Sequence, residues 1–276
     1  FWGPDRFPGR RPEYQSIMLY MEGIGNAKKF ISAARGFARN KPIIVLKPGR
    51  FAESAKAALS HTGSMGGEDR TCDAAFKRVG VVRVRDIADL FNVAEVLHAK
   101  HLPKGSEIAI VTNAGGAGVI ATDTLIGLGG RLATLTEDSI RALDAHLPVY
   151  WSKANPVDVL GDADTARYEH AITTCLNDPG VNGVITIYTP QGAARPDELA
   201  KRFTEIADQN RKPFIAVWMG GGQVEGARNI TLQHNTPHVC DSGRGREDLP
   251  LHVPIRPKSR APVRNPRTIV GGSGAA

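Results

Sequence analysis

Between residues 12 and 237 the spacing of apolar positions changes repeatedly. Short runs dense in Ile, Val and Leu give way to stretches with apolar residues three and four apart. That alternation marks α/β layers with mostly parallel strands. Ser16–Met21 reads as a buried strand. Asn26 to Arg39 reads as a helix presenting Ala27, Phe30, Ile31 and Ala34 on one face. Pro42–Lys47 is the next strand, ending in the turn Pro48-Gly49. A helical pattern begins at Asp73-Ala74-Ala75-Phe76, Val79–Val84 reads as a strand, and Asp86 opens a closing helix that runs to Ala99.

Pro103-Lys104-Gly105 interrupts the pattern, which then restarts. Glu107–Thr112 is strand-like and runs into Asn113-Ala114-Gly115-Gly116-Ala117-Gly118, followed by an apolar helix over Val119–Leu128. Further strands are expected at Gly183–Tyr188 and Pro213–Trp218. Each ends in a turn, Thr189-Pro190-Gln191-Gly192 and Met219-Gly220-Gly221-Gly222 respectively. Ligands bind in loops at the carboxyl ends of parallel strands, so these turns are the places to look for chemistry. The glycines of Asn113–Gly118 do not fit a dinucleotide fingerprint. Tight strand-to-helix packing and an anion-binding helix start are the two readings of that loop.

One loop carries a reactive side chain. Ser60-His61-Thr62-Gly63-Ser64 is followed by Gly66-Gly67, just ahead of a helix. Backbone N–H groups there, helped by Ser and Thr hydroxyls, suit an anion. An imidazole beside them is a competent nucleophile near neutral pH. The simpler alternative is a capping histidine. Elsewhere His98 and His101, three apart, lack an acidic or Cys partner, so no metal site is expected. His146 and His170 read as ordinary helix or surface positions, and no Ser sits in a nucleophile elbow.

Composition narrows the class without choosing the chemistry. With 276 residues, 41% apolar and 23% charged, the chain resembles a globular protein of two modest domains. It has no transmembrane run and no signal-like start. Three separated cysteines, Cys72, Cys175 and Cys240, point to a reducing cytoplasm. The net charge of +7 is concentrated at the ends: residues 1–11 carry +2 and residues 238–276 carry +4, leaving +1 for the body. No aromatic interleaving accompanies it, so nucleic acid is not expected as a partner.

The two ends differ from the body. From His238 onward Pro, Arg and Gly dominate without periodicity. A disordered basic tail is one reading. The other is translation out of frame: a one-nucleotide shift over His238–Arg267 permits codons for an amphipathic helical sequence. The same shift over Phe1–Arg11 permits a segment that joins onto Pro12-Glu13.

Five stretches together carry a family likeness: Tyr20-Met21-Glu22-Gly23-Ile24, Lys47-Pro48-Gly49-Arg50, Ser60–Ser64, Thr112–Gly118 and Asn155-Pro156-Val157-Asp158-Val159. In order and spacing they resemble the ligase region of the NDP-forming acyl-CoA synthetases, the family of ADP-forming acetate–CoA ligase, with succinyl-CoA synthetase more distant. The resemblance implies two flavodoxin-like, succinyl-CoA synthetase-type domains with parallel sheets, the first incomplete. Their expected extents are 12–102 and 103–237, between irregular ends at 1–11 and 238–276.

It also implies roles. His61 becomes the phosphohistidine, and Glu22 orients its imidazole. Thr62, Gly63, Ser64, Asn113, Gly115, Gly116, Gly118, Gln191 and Gly192 cradle phosphate. Lys47 and Arg50 contact CoA or phosphate, or are solvated strand ends. Asn155 and Asp158 orient loops, or form a structural Asx turn before Pro156. The reaction implied interconverts acyl-CoA, ADP and phosphate with acid, CoA and ATP. CoA, ATP or ADP, and phosphate are its ligands, with Mg accompanying the nucleotide. The partners implied are a CoA-binding domain, an ATP-grasp domain and a small carboxylic acid, in an oligomer, with no membrane. Two other readings stand beside it: an acyl-CoA-sensing module of a bifunctional protein acetyltransferase, and a non-functional fragment.

Overall fold

The computed structural model describes residues 16–38, 41–51, 53–54, 69–97, 101, 103–191 and 193–240. Two parallel sheets organise them. The first is β1 (Ile17–Tyr20), β2 (Ile43–Leu46) and β3 (Val82–Val84) in that order. The second has the order β5-β4-β7-β8-β9, with β6 also on β4. Its strands are β4 (Glu107–Thr112), β5 (Arg131–Leu132), β6 (Val157–Asp158), β7 (Gly183–Tyr188), β8 (Phe214–Trp218) and β9 (His238–Cys240). Every pairing is parallel.

Among the described residues, α1 (Ala27–Phe37), α2 (Asp69–Val79) and α3 (Ile87–Leu97) serve the first sheet. Asn26 caps α1, its side chain accepting from Lys29 N at 2.9 Å. The inward stripe of α1 holds Phe30, Ile31, Ala34 and Phe37, and Phe30 meets Phe76 of α2 edge-on at 5.8 Å. Ala27, expected on that stripe, is exposed, because the first turn lies outside the packed face. Helix α2 begins at Asp69, earlier than Asp73. It takes in Val79, which was expected in a strand, and Gly80 at φ +76 ends it. Asp86 caps α3 as expected, its carboxylate accepting from Asp89 N at 2.8 Å. That helix is described as far as Leu97; His101 is not helical, and His98 is outside the described residues.

The second sheet is wrapped by α4 (Gly115–Gly127), α5 (Glu137–His146), α6 (Thr165–Asn177), α7 (Pro196–Gln209) and α8 (Glu225–Gln233). Strand β7 is buried along its whole length, as a central strand covered on both faces requires. One face packs on α6 and α7 through Tyr168, Phe203 and Trp218. The other packs on α4 through Ala117, Ala121 and Leu125. Val96 of α3 joins this latter core, so α3 belongs to both halves of the fold.

Two departures from the sequence expectations have clear causes. Strand β9 falls inside the segment from His238 expected to be irregular. It is three residues long, too short to show a period, and takes its register from β8 through Ala216↔His238 and Val217↔Val239. His146 and His170, expected to be unremarkable, stack with ring centroids 3.6 Å apart, and both rings bond Ala142 O at 3.1 Å.

Asn155 fills a gap in the sheet edge. Strand β4 pairs with β5 at Glu107 and Ile108 and with β6 at Val111 and Thr112. Between them the Asn155 carboxamide acts as a strand: Ile110 N donates to its Oδ1 at 2.9 Å, and its Nδ2 donates to Ile108 O and Ala133 O at 2.8 and 2.9 Å. Asn155→Ala is therefore expected to lower stability by roughly 2 kcal/mol, because it takes the partner from Ile110 N and Ala133 O, while Ile108 O still accepts from Ala133 N. Urea unfolding should show a lower midpoint with an unchanged slope.

Candidate active site

The chemistry collects at the carboxyl ends of the strands. At the end of β1, Met21 N still donates to Leu46 O at 3.1 Å, so the chain stays in register up to Glu22. The Glu22 Oε2 atom is buried and has no hydrogen-bond partner among the described residues. A carboxylate oxygen out of water and unpaired is costly. His61, Thr62, Gly63 and Ser64 lie outside the described residues, as does Gly192.

At the end of β2, Lys47 is buried, with its Nζ donating to Pro48 O at 3.4 Å. Arg50 follows, its Nε 3.7 Å from Asp69 Oδ2. Asp69, the first residue of α2, also pairs with Arg83 of β3, whose other nitrogen lies 3.7 Å from Asp73. The Arg83 hydrogen bond holds the Asp69 carboxyl below the usual range, and the fields of Arg83, Arg50 and Lys47 add to it against the cost of burial. Asp69, Asp73 and Arg83 were not picked out from the sequence. The available signal was an arginine alternating with valines in Val82-Arg83-Val84, where a charge inside a strand demands a partner.

In the second sheet the loop after β4 is tied to the loop after β7. Asn113 is buried, its Nδ2 donating to Thr189 O at 2.7 Å while its Oδ1 accepts from Thr189 N at 2.9 Å and Thr189 Oγ1 at 3.1 Å. Gln191 Nε2 extends the chain to Thr189 Oγ1 at 2.9 Å. Thr112 Oγ1 accepts from Ala114 N and donates to Ala114 O, each at 3.0 Å, making the turn from which α4 starts at Gly115. The helix thus begins earlier than Val119. Gly115 and Gly116 stand exposed at its N-terminus, where helical N–H groups have no partner inside the helix.

The sequence expectations map onto this unevenly. Gly115 and Gly116 are exposed in the first turn of α4. Gly118 is not: its N–H donates to Ala114 O at 3.1 Å, and a side chain there would meet Thr112 Cγ2 at 3.0 Å. It is a close-packing position, which corrects the phosphate-binding expectation. Asn113 offers its backbone, since its carboxamide is committed to Thr189. Asp158 caps its own turn, Oδ1 accepting from Leu160 N at 2.9 Å, and its Oδ2 lies against Gly115. Asn155 and Asp158 bond neighbouring main chain, while Lys47 and Arg50 lie at the end of β2 with the contacts given above. Cys72 and Cys175 are free and buried; burial, reinforced by Asp178, pushes the Cys175 thiol up to about 12, which leaves it inert. Among the described residues no group of His, Cys, Asp and Glu could hold a metal ion, and no helix is long and apolar enough to cross a membrane.

Residues 6–97 match the succinyl-CoA ligase-like flavodoxin domain and residues 108–244 the ligase-CoA domain. The chain belongs to the NDP-forming acyl-CoA synthetase family. It is 36% identical over 225 residues to the ADP-forming 4-hydroxybutyrate–CoA ligase of Nitrosopumilus maritimus, covering 80% of this chain and 32% of that one. With the alpha subunit of the ADP-forming acetate–CoA ligase I of Pyrococcus furiosus it shares 35% over 237 residues, 85% of this chain and 51% of the subunit. The dinucleotide-forming acetyl-coenzyme A synthetase 1 of Ca. Korarchaeum cryptofilum, solved with phosphate and ADP, superposes with a TM-score of 0.78 at 31% identity. That match covers 84% of this chain and 51% of that one. The chain therefore spans about a third to a half of the length of such relatives.

Because the folded-state Asp69 carboxyl titrates below its unfolded value, its contribution to stability is complete above the ordinary Asp range. It is lost as pH falls through the lowered value. Asp69→Asn should be less stable than the parent at pH 7, and the two should converge in strong acid. Denaturant unfolding at pH 7, 5 and 3 reads this directly; a gap that stays constant with pH contradicts it.

Proposed function

We propose that this chain supplies the phosphohistidine half of an ADP-forming acyl-CoA synthetase. The reaction interconverts acyl-CoA, ADP and phosphate with acid, CoA and ATP. The observation that carries the reading is the unpartnered, buried Glu22 Oε2 at the end of β1, in a chain that retains His61 in its Ser-His-Thr-Gly stretch.

In this reading Glu22 accepts the N–H of one imidazole nitrogen of His61 and leaves the lone pair of the other free. That nitrogen attacks the phosphorus of an acyl phosphate. An N–P bond forms, the acyl-oxygen–phosphorus bond breaks, and the carboxylate departs. The β-phosphate oxygen of ADP then takes the phosphoryl group, restoring neutral imidazole and giving ATP. Thr62, Gly63 and Ser64 cradle the phosphoryl oxygens from one side. The open N–H groups of Gly115 and Gly116, with the turn Gln191-Gly192, do so from the other. The tie between Asn113 and Thr189 holds those two loops in fixed relation.

A CoA-binding domain and an ATP-grasp domain, in the remainder of a longer chain or in another subunit, complete the enzyme, with Mg held beside the nucleotide there. A small carboxylic acid is the substrate, the assembly is oligomeric, and the free buried thiols fit a reducing cytoplasm. A purely acyl-CoA-sensing module has no chemical use for a buried, unpartnered carboxylate oxygen, and the named relatives are ligases.

Combined with CoA-binding and ATP-grasp partners, the chain should form ATP from acetyl-CoA, ADP and phosphate. Glu22→Gln, which removes the charge that fixes the tautomer, should lower kcat roughly 10²–10⁴-fold with little change in the KM for ADP. Unaltered kcat in that variant contradicts the role given to Glu22.

A further inference from the structure

The turn after β6 touches both of the loops that Asn113 and Thr189 tie together. Asp158 Oδ1 accepts from Leu160 N at 2.9 Å. Leu160 takes the left-handed conformation at φ +69, and its carbonyl accepts from Ala163 N at 3.1 Å. A leucine holds that conformation only where its surroundings impose it. On one side, a side chain at Gly115 would meet Asp158 Oδ2 at 3.0 Å, so the turn lies against the start of α4. On the other, a Cβ at Gly161 would lie 2.0 Å from Gln191 Oε1, 3.1 Å from its Cδ and 3.8 Å from its Cβ. The oxygen end of the Gln191 carboxamide therefore rests on the bare Cα of Gly161. Its nitrogen end is fixed too: Nε2 donates to Thr189 Oγ1 at 2.9 Å, and that hydroxyl donates to Asn113 Oδ1 at 3.1 Å.

We infer that Gly161 is a positioning residue for Gln191, and that Gln191 so held presents one N–H to an oxygen of the bound phosphate. The inference rests on the phosphate role given above to the turn that carries Gln191. Gln191 is exposed, and an exposed glutamine ordinarily samples many rotamers. Here both ends of its carboxamide have an assigned neighbour. Nε2 carries two hydrogens and the Thr189 bond uses one, which leaves a donor of fixed direction. Glycine at 161 serves this contact and not the backbone. Its φ lies outside the left-handed region, so alanine fits the chain there. The three atoms nearest to an added methyl all belong to Gln191, whose flexible end can swing aside. Gly161→Ala is thus a change that leaves the fold in place and displaces one carboxamide.

The test is steady-state synthesis of ATP from acetyl-CoA, ADP and phosphate by the chain together with its CoA-binding and ATP-grasp partners. Gly161→Ala is expected to raise the KM for phosphate roughly tenfold, the loss of one hydrogen bond to a charged oxygen. The KM for ADP and the thermal midpoint should not move. Gln191→Ala should raise the phosphate KM to the same extent. The double variant should be no worse than Gln191→Ala alone, since the methyl then has nothing to displace. A purely structural role for Gly161 would instead lower the midpoint and act on both substrates. An unchanged phosphate KM in Gly161→Ala, a full second loss in the double variant, or a Gly161→Ala chain unfolded by circular dichroism overturns the inference. An unchanged phosphate KM in Gln191→Ala overturns the phosphate contact of Gln191 and the inference with it, and leaves the roles of Glu22 and His61 intact. A parent assembly that makes no ATP contradicts the proposed function itself, and the inference falls with it.

Discussion

Parallel strand pairing is the constraint on which everything else depends. Each strand of the two sheets runs the same way as its neighbours, so each sheet has one edge at which every strand ends and a loop begins. Helices return the chain to the opposite edge, and their starts point their open N–H groups back toward the strand ends. Polar residues placed just after β1, β2, β4 and β7 are gathered without needing to be near in sequence. Arg50 meets Asp69 at the start of α2 in this way, and Asn113 meets Thr189.

Holding those loops consumes most of the polar side chains near them. The carboxamide of Asn113 is spent on Thr189, that of Asn155 on two groups of β4 and on Ala133 O just after β5, and the Asp69 carboxylate on two arginines. Among the described residues near these loops, one oxygen of Glu22 and Arg83 Nε are buried without a partner, and the glycines at the start of α4 are exposed. A buried polar group costs free energy unless it is paired, which is why these side chains are tied to neighbouring main chain and charges.

Much of this was legible in the sequence. Strands β4 and β7 have the expected bounds because apolar runs between turn residues leave no competing period. Helix starts were misjudged where glycine or charge filled the first turn, as at Gly115 and Asp69, since those residues mask the apolar period that their backbone joins. Short elements such as β5, β6 and β9 take their conformation from the neighbouring strand rather than from their own residues. Glu22 was found through the motif around it; Arg83 was not, because its partners are remote in the chain and only the fold joins them. Gly118 looked like an anion ligand because glycine serves two ends, open N–H groups and close packing, and a sequence does not distinguish them.

The central claim is that His61 carries the phosphoryl group between two reactions. It is tested most directly by peptide mapping under alkaline conditions, after the chain has turned over acetyl-CoA, ADP and ³²P-labelled phosphate with its CoA-binding and ATP-grasp partners. The account predicts label on the peptide containing His61, removed by acid and stable to base. Turnover at full rate with the label on another residue, or with no labelled residue at all, contradicts it.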